Sequence, residues 1–124
     1  MKTSELKGVF LDYWVAKADG YEPWAGATYP KGDFMWKAQR EIGPAAGWLS
    51  HRFSADWSLA GPIIEREKIE LQFDARDYGG WFASLSGKTF GQTGPTPLIA
   101  VMRAYVASKF GDEVLDPKDI RNEP

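Results

Sequence analysis

A segment in the middle of the chain, residues 54–67, holds the densest group of side chains that could do chemistry. The candidates are Asp56, Trp57, Glu65, Arg66 and Glu67. Carboxylates held close together can act as general acid and base, or can bind a metal through oxygen ligands. Glu65 and Glu67 share a face if the chain is extended here, whereas in a short helical turn that begins at Pro62 they point apart.

The alternative interpretation of this segment is an Asp or Ser loop cap, followed by solvated charges that flank a strand. The spacing of the acidic residues matches no defined metal-binding loop. We therefore favour the alternative, and we predict no catalytic residue and no metal site.

A second candidate site lies where the last helix is predicted to begin. Thr96 is placed as its N-cap and Pro97 as its first residue. The free N–H groups and the dipole of a helix N-terminus can hold an anion, and Arg103 lies off the apolar stripe further along the same helix. Plain capping by Thr96 is the alternative, and it is favoured because every helix needs a cap.

Two further motifs carry little weight. Residues 86–89 read Ser-Gly-Lys-Thr, but a phosphate-binding loop needs glycine where Phe82 stands and a helix directly afterwards. A surface turn is predicted there instead. His51 follows Ser50, but adjacency in sequence does not make a catalytic pair.

The composition excludes several classes of protein. The 124 residues include no cysteine and one histidine, so disulfide scaffolds, thiol nucleophiles and the usual zinc sites are ruled out, and we expect no cofactor. The net charge of −2 argues against binding to nucleic acid. The N-terminus does not resemble a secretory signal, and the longest apolar run, Leu98–Met102, is far shorter than the ~20 residues of a membrane span. We expect a cytoplasmic protein with no membrane partner.

Two helices are predicted at the ends of the chain. The first starts with Thr3 or Ser4 as N-cap and stops at Gly20; its apolar face is Leu6, Val9, Phe10, Tyr13, Trp14 and Ala16. The last runs from Pro97 to Gly111 with a buried stripe of Leu98, Val101, Met102, Tyr105, Val106 and Phe110.

The middle of the chain is predicted to form short strands and loops. Glycine and proline recur through residues 19–61, with possible strands at 33–37 and 48–53. Residues 68–73 alternate as a half-buried strand, 77–80 form a turn and 81–85 a returning strand. The predicted fold is α+β: the N- and C-terminal helices pack on a small, mainly antiparallel sheet with long aromatic-rich loops. We predict that residues 1–111 form one domain and that residues 112–124 are an acidic, flexible tail.

Three blocks of sequence occur in a familiar order. They are residues 2–6 with 11–20, residues 54–57 with 61–67, and residues 94–100 with 102–111. Together they resemble the phage NinX-type family of small phage and prophage proteins of unknown function. The resemblance implies a protein that acts in the cytoplasm of the bacterial host, and it implies no particular reaction.

The blocks include polar residues that packing alone does not require. They are Asp12, Asp56, Glu65, Arg66, Thr96 and Arg103. If the helix ends and the segment 61–67 converge on one rim of the sheet, these residues form a ligand-binding site together with Trp57 and Glu67.

The leading hypothesis is a non-enzymatic phage accessory protein that binds a host protein or a small ligand, for instance a nucleotide-like one. One alternative is a small enzyme that acts on a nucleotide-like molecule through Glu65 or Glu67 with Arg66. Another is a structural homodimer whose exposed aromatic residues form the interface.

We expect no salt-sensitive binding to duplex DNA at physiological ionic strength, because the net charge is negative and the basic residues are interspersed with acidic ones. The measurement is a mobility-shift titration at several salt concentrations. A retarded band whose affinity falls steeply with salt would contradict this expectation.

Overall fold

A computed structural model describes residues 1–20, 23–24, 35–36, 52–74, 76, 80–85 and 91–115. The helices are α1 (Gly8–Ala18), α2 (Trp57–Glu67) and α3 (Pro97–Phe110), and a short 3-10 helix at Thr3–Glu5 precedes them. The strands are β1 (Pro23–Trp24), β2 (Met35–Trp36), β3 (Ile69–Asp74), β4 (Gly80–Leu85) and β5 (Gly91–Gly94).

The described strands form two antiparallel sheets. β1 pairs with β2, and β3, β4 and β5 form a second sheet in that order, with β4 in the middle. Helices α1 and α3 pack together, and α3 lies on the larger sheet. The α+β prediction is confirmed: α3 lies on a small antiparallel sheet, and α1 packs on α3.

Helix α3 is the central element of the core. Leu98 and every residue from Ala100 to Val106 are buried, since the sheet covers one side of the helix and α1 the other. Its predicted ends are confirmed: the Thr96 hydroxyl accepts a hydrogen bond from the Ile99 N–H at 3.1 Å, and the helix ends before Gly111 at a φ of 87°. Phe110, predicted in the buried stripe, is 41% exposed at the end of the helix.

The sheet approaches α3 closely at Gly94. A Cβ atom there would lie 2.8 Å from the backbone nitrogen of Ala100, which is too close for any side chain. Ile69 of β3 and Ala83 of β4 lie on the same face of the sheet and are buried. Small residues at the contact therefore let the helix lie directly on the strands.

The predicted hairpin is confirmed, but the burial of its first strand is not as expected. β3 and β4 pair in the register Ile69–Leu85 to Asp74–Gly80. Leu71 and Phe73 belong to the apolar side of the alternation that predicted a half-buried strand, but they are 37% and 58% exposed. The reason is that α3 packs mainly on β4 and β5, so that β3 extends beyond the helix.

The first helix starts later than predicted, and neither Thr3 nor Ser4 is its N-cap. Lys7 occupies the N-cap position without a side-chain hydrogen bond. Thr3 is buried, and its hydroxyl donates to the Gly111 carbonyl at 2.7 Å. The side chain that the sequence predicts as a helix cap therefore makes a tertiary hydrogen bond instead. The predicted stop is confirmed, because Gly20 follows the helix with a φ of 93°.

The two ends of the domain pair with each other. The Met1 amino group donates to the Val114 carbonyl at 2.8 Å, and the Val114 N–H donates back to Met1 at 2.9 Å. The Thr3 N–H donates to the carbonyl of Asp112 at 2.8 Å. Residues 112–114 therefore contact the N-terminal segment, and the predicted division at residue 111 stays a prediction.

Helix α2 is longer than the short helical turn at Pro62 that the sequence allows as one alternative to an extended segment. It starts five residues earlier because the Asp56 carboxylate accepts hydrogen bonds from the Ser58 N–H and hydroxyl, at 2.9 and 2.6 Å. Ala60 and Ile63 bury its inner face. An effective N-cap and this apolar contact outweigh the hydrogen bond that Pro62 removes.

Other predictions fall partly or wholly outside the described residues. The strand at 33–37 contains β2, whereas most of the strand at 48–53 lies outside, as do His51, most of the turn at 77–80, the run 86–89 and the tail beyond residue 115. The described end of the second strand, at Phe53, begins a turn.

A buried cation connects α3 to two other parts of the fold. Arg103 is 8% exposed, whereas the sequence placed it off the buried stripe. Its Nε donates to the Leu6 carbonyl at 2.7 Å, and its Nη1 donates to the Thr93 carbonyl at 2.8 Å. Burial lowers the pKa of its guanidinium because desolvation disfavours the charged form. Arg103 therefore holds the N-terminal segment and β5 against α3.

Replacing Arg103 with methionine keeps an unbranched side chain as far as the position of Nε and removes both donors. We expect Arg103→Met to lower the free energy of unfolding by about 2–3 kcal/mol, because two buried carbonyls lose charge-assisted hydrogen bonds. Urea denaturation at pH 7 measures the loss. Lys109→Met, on the exposed face of the same helix, is the matched control and should change stability by less than about 0.5 kcal/mol. Equal losses in the two variants would contradict the role of Arg103.

Candidate functional site

Four polar side chains meet where α1 and α2 end beside the middle of α3. Arg66 donates from Nε to Glu67 at 2.8 Å, and from Nη2 to Asp19 at 2.6 Å and to the Tyr105 hydroxyl at 3.0 Å. The Tyr105 hydroxyl in turn donates to Asp19 at 3.1 Å. We call Arg66, Glu67, Asp19 and Tyr105 the Arg66 network.

The electrostatics of the Arg66 network favour a fixed arrangement. The hydrogen bond to Glu67, followed by that to Asp19, raises the pKa of Arg66 above its usual value. Burial raises the pKa of Tyr105 to about 12, and the charge of Asp19 adds to this effect. One cation faces two carboxylates, so the network offers no excess positive charge to an anion. It connects three helices, although half of the Arg66 side chain is exposed and its ion pairs are accordingly modest.

Two other predicted site residues hold backbone groups in place. Asp12 is buried, and its Oδ1 accepts a hydrogen bond from the Ser54 N–H at 2.8 Å, which connects α1 to the turn before α2. Asp56 is the N-cap of α2, and the Ser58 hydroxyl and N–H lower the pKa of its carboxyl group.

Trp57 and Glu65 lie on the outer surface of α2. Trp57 is 55% exposed, and Glu65 is also exposed. Because α2 is helical throughout, Glu65 and Glu67 point apart and do not form the carboxylate pair that an extended segment would give.

The structure therefore distributes the eight predicted residues over several separate contacts. Arg66 and Glu67 contact each other, whereas Thr96 and Arg103 bind backbone groups near the other end of α3. A ligand-binding role for each of them stays a prediction. The sequence did not indicate Asp19 and Tyr105 as members of the Arg66 network. Asp19 was expected only to lie at the end of the first helix, and Tyr105 only to lie in the core.

A cleft lies between the sheet and the C-terminal half of α3. Its volume is about 350 Å³, and it is lined by Leu85, Gly91, Gln92, Ala104, Ala107, Ser108 and Asp112. We call it the sheet–helix cleft. It exists because α3 presents the small residues Ala104 and Ala107 to the ends of β4 and β5. The spacing of these two small residues, three positions apart on a helix, is the feature of the sequence that could have indicated the cleft.

The sheet–helix cleft combines apolar walls with three polar groups. None of the side-chain hydrogen bonds among the described residues uses the carboxamide of Gln92. The Ser108 hydroxyl donates to the Tyr105 carbonyl at 2.6 Å, which leaves its oxygen able to accept. Asp112 lines the cleft just beyond the C-terminus of α3. Apolar walls with a few polar groups are typical of small-molecule sites, and the volume lies near the lower end of their range of roughly 300–1,000 Å³.

Two features are absent from the described ranges, a membrane-spanning helix and a cluster of metal ligands. No helix there is both long and apolar enough to cross a bilayer. No three acidic, histidine or cysteine side chains lie close enough together to hold a metal ion in that part of the chain.

The geometry defines the class of the protein as an α+β domain, with buried terminal helices and a small antiparallel sheet. The model of the family described as Bacteriophage P22, NinX matches residues 2–109, so the chain belongs to this phage family. No curated protein matches the chain.

The ionisation of Tyr105 predicts a difference between the wild type and Tyr105→Phe at high pH. The folded state raises the pKa of Tyr105 to about 12 from a usual value near 10, so its contribution to stability is complete below pH 10 and is lost as the pH rises towards 12. Tyr105→Phe lacks this loss. We expect the wild type to lose up to roughly 2 kcal/mol more than the variant over this interval.

Urea denaturation of both proteins between pH 9 and pH 12 measures this difference. At pH 7 the variant should be less stable by about 1 kcal/mol, because the hydrogen bonds of the hydroxyl are absent. An identical pH dependence in the two proteins would show that the Tyr105 hydroxyl ionises as in water.

Proposed function

We propose that this protein is a phage accessory protein that binds a small ligand in the sheet–helix cleft, in the cytoplasm of the bacterial host. The observation that carries the proposal is the combination of apolar walls with the Gln92 carboxamide, which no other side chain of the described residues engages. A polar group of this kind, on the wall of a cleft, is what fixes the orientation of a small ligand.

The polar groups of the cleft favour a particular ligand chemistry. A carboxamide donates and accepts in one plane, which matches the edge of a planar heterocycle such as a nucleobase. The Asp112 carboxylate favours a neutral or cationic ligand, and no lysine or arginine lines the described part of the cleft. We therefore propose a nucleobase or nucleoside rather than a phosphorylated nucleotide.

The placement of the charged residues supports binding over catalysis. The enzymatic alternative uses Glu65 or Glu67 with Arg66, and all three lie on α2, outside the cleft lining. Arg66 is already paired with two carboxylates. The cleft itself contributes hydrogen-bonding groups and one carboxylate, which suit recognition of a ligand.

The test is calorimetric titration with nucleobases, nucleosides and the matching 5′-monophosphates. We expect at least one base or nucleoside to bind, with its monophosphate weaker by at least about tenfold because of repulsion from Asp112. Gln92→Leu removes the amide and Ala107→Leu fills the cleft, and each should weaken binding by at least about tenfold.

Two substitutions of the same kind away from the cleft serve as controls. Gln72→Leu changes an exposed glutamine of β3, and Ala55→Leu an exposed alanine before α2. Both should bind within about twofold of the wild type. Absence of binding by every compound, or equal losses in cleft and control variants, would contradict the proposal.

A further inference from the structure

Strand β3 has an open edge. It pairs with β4 on one side, and none of the other described strands pairs with its second side. Four consecutive residues from Glu70 to Phe73 are exposed, including two large apolar side chains. An exposed edge strand offers unpaired N–H and C=O groups to another strand, and apolar residues along it favour such pairing.

We propose that a second copy of this chain docks on the β3 edge, strand to strand and antiparallel, around a two-fold axis. The two three-stranded sheets then form one continuous six-stranded sheet. A two-fold axis perpendicular to the sheet keeps the helix-covered faces of both copies on the same side. Residues that face α3 in one copy must therefore lie opposite residues that face α3 in the other.

The charges along β3 select one register. When Leu71 lies opposite the partner's Leu71, Asp74 at the end of β3 comes beside the partner's Lys68. Lys68 is the left-handed residue between α2 and β3, and its long side chain extends towards that carboxylate, so that two ion pairs form by symmetry. Glu70 then faces the partner's Gln72. Residues 68–74 read Lys-Ile-Glu-Leu-Gln-Phe-Asp, so that a basic residue directly precedes β3 and an acidic residue ends it.

The neighbouring registers that keep the same faces bring like charges together. A shift in one direction places Glu70 opposite the partner's Glu70, and a shift in the other places Glu70 opposite the partner's Asp74. Like charges directly opposite each other destabilise a strand pair. The sequence of β3 therefore complements itself in one antiparallel register.

The apolar residues of the edge support the same register. Ile69 lies opposite the partner's Phe73, and the Phe73 ring also packs on Trp81 of β4, with ring centroids 5.0 Å apart. Such aromatic and β-branched cross-strand pairs stabilise sheets. A single pair of six-residue strands is smaller than a standard interface, so the dimer is weak and depends on concentration.

The test exchanges the charges of Lys68, directly before β3, and Asp74, at its end, and measures self-association by sedimentation velocity. We expect the wild type to dimerise as its concentration rises. Lys68→Asp alone, or Asp74→Lys alone, places like charges opposite each other and should weaken dimerisation by at least about tenfold. An equimolar mixture of the two single variants should dimerise again, because in the mixed dimer one ion pair keeps its native polarity and the other forms with reversed polarity.

The double variant Lys68→Asp/Asp74→Lys also restores both pairs and should dimerise like the wild type. It serves as the control for folding, since Asp74 also accepts a hydrogen bond from the Arg76 N–H at 3.0 Å. Lys109→Asp makes the same charge change on α3 and should leave dimerisation unchanged. Gln92→Leu should dimerise normally, which separates this result from ligand binding in the cleft.

Three outcomes would overturn the proposal. They are a wild type that stays monomeric at millimolar concentration, a dimer insensitive to the β3 variants, and a mixture of single variants that stays monomeric. The last would show that residues 68 and 74 do not face each other across the interface.

Discussion

The burial of α3 on two sides is the constraint on which the rest of the structure depends. A helix between a sheet and another helix must present apolar or very small residues around most of its circumference, and α3 does so from Leu98 to Val106. Each polar group carried into this position needs an internal partner, because water cannot reach it. Arg103 and Tyr105 meet this requirement in different ways. One donates to two backbone carbonyls, whereas the other joins a network of charged side chains at the helix ends.

The same packing produces the candidate site. Gly94 and the small residues on α3 allow helix and sheet to touch at the N-terminal half of the helix. Towards the C-terminal half, Ala104 and Ala107 leave space below the ends of β4 and β5, and the sheet–helix cleft occupies it. A gap lined by alanines loses packing contacts and therefore costs folding free energy, which contacts in the surrounding walls must offset. The pairing of the chain ends, through Thr3 with Gly111 and Asp112, provides that support directly beside the cleft.

Most of the polar residues singled out from the sequence hold the fold together, as their contacts show. Asp12, Asp56 and Thr96 each accept a hydrogen bond from a backbone N–H, and Arg66 connects three helices. A polar residue within a family block is expected both at a binding site and at a point where backbone groups need a partner. Sequence alone does not distinguish these two cases, because the difference lies in what is nearby in space.

The sequence by itself determined the features that depend on neighbouring residues. Thr96, Pro97 and Gly111 define α3 through local capping, and the alternation after Lys68 defines the β3–β4 hairpin. The three ordered blocks indicated the phage family. Helix α2 was missed because Gly61 and Pro62 are local breakers, whose effect is outweighed by the Asp56 cap and by burial of Ala60 and Ile63.

Only the tertiary structure decided which side chains meet. Thr3 caps no helix because Gly111, 108 positions away, uses its hydroxyl. Arg103 is buried because Leu6 and Thr93 bring their carbonyls to it, and Phe73 is exposed because α3 lies over the other two strands. These outcomes depend on contacts between segments that are far apart in the sequence. A local pattern of residues gives no information on the free energy of such contacts.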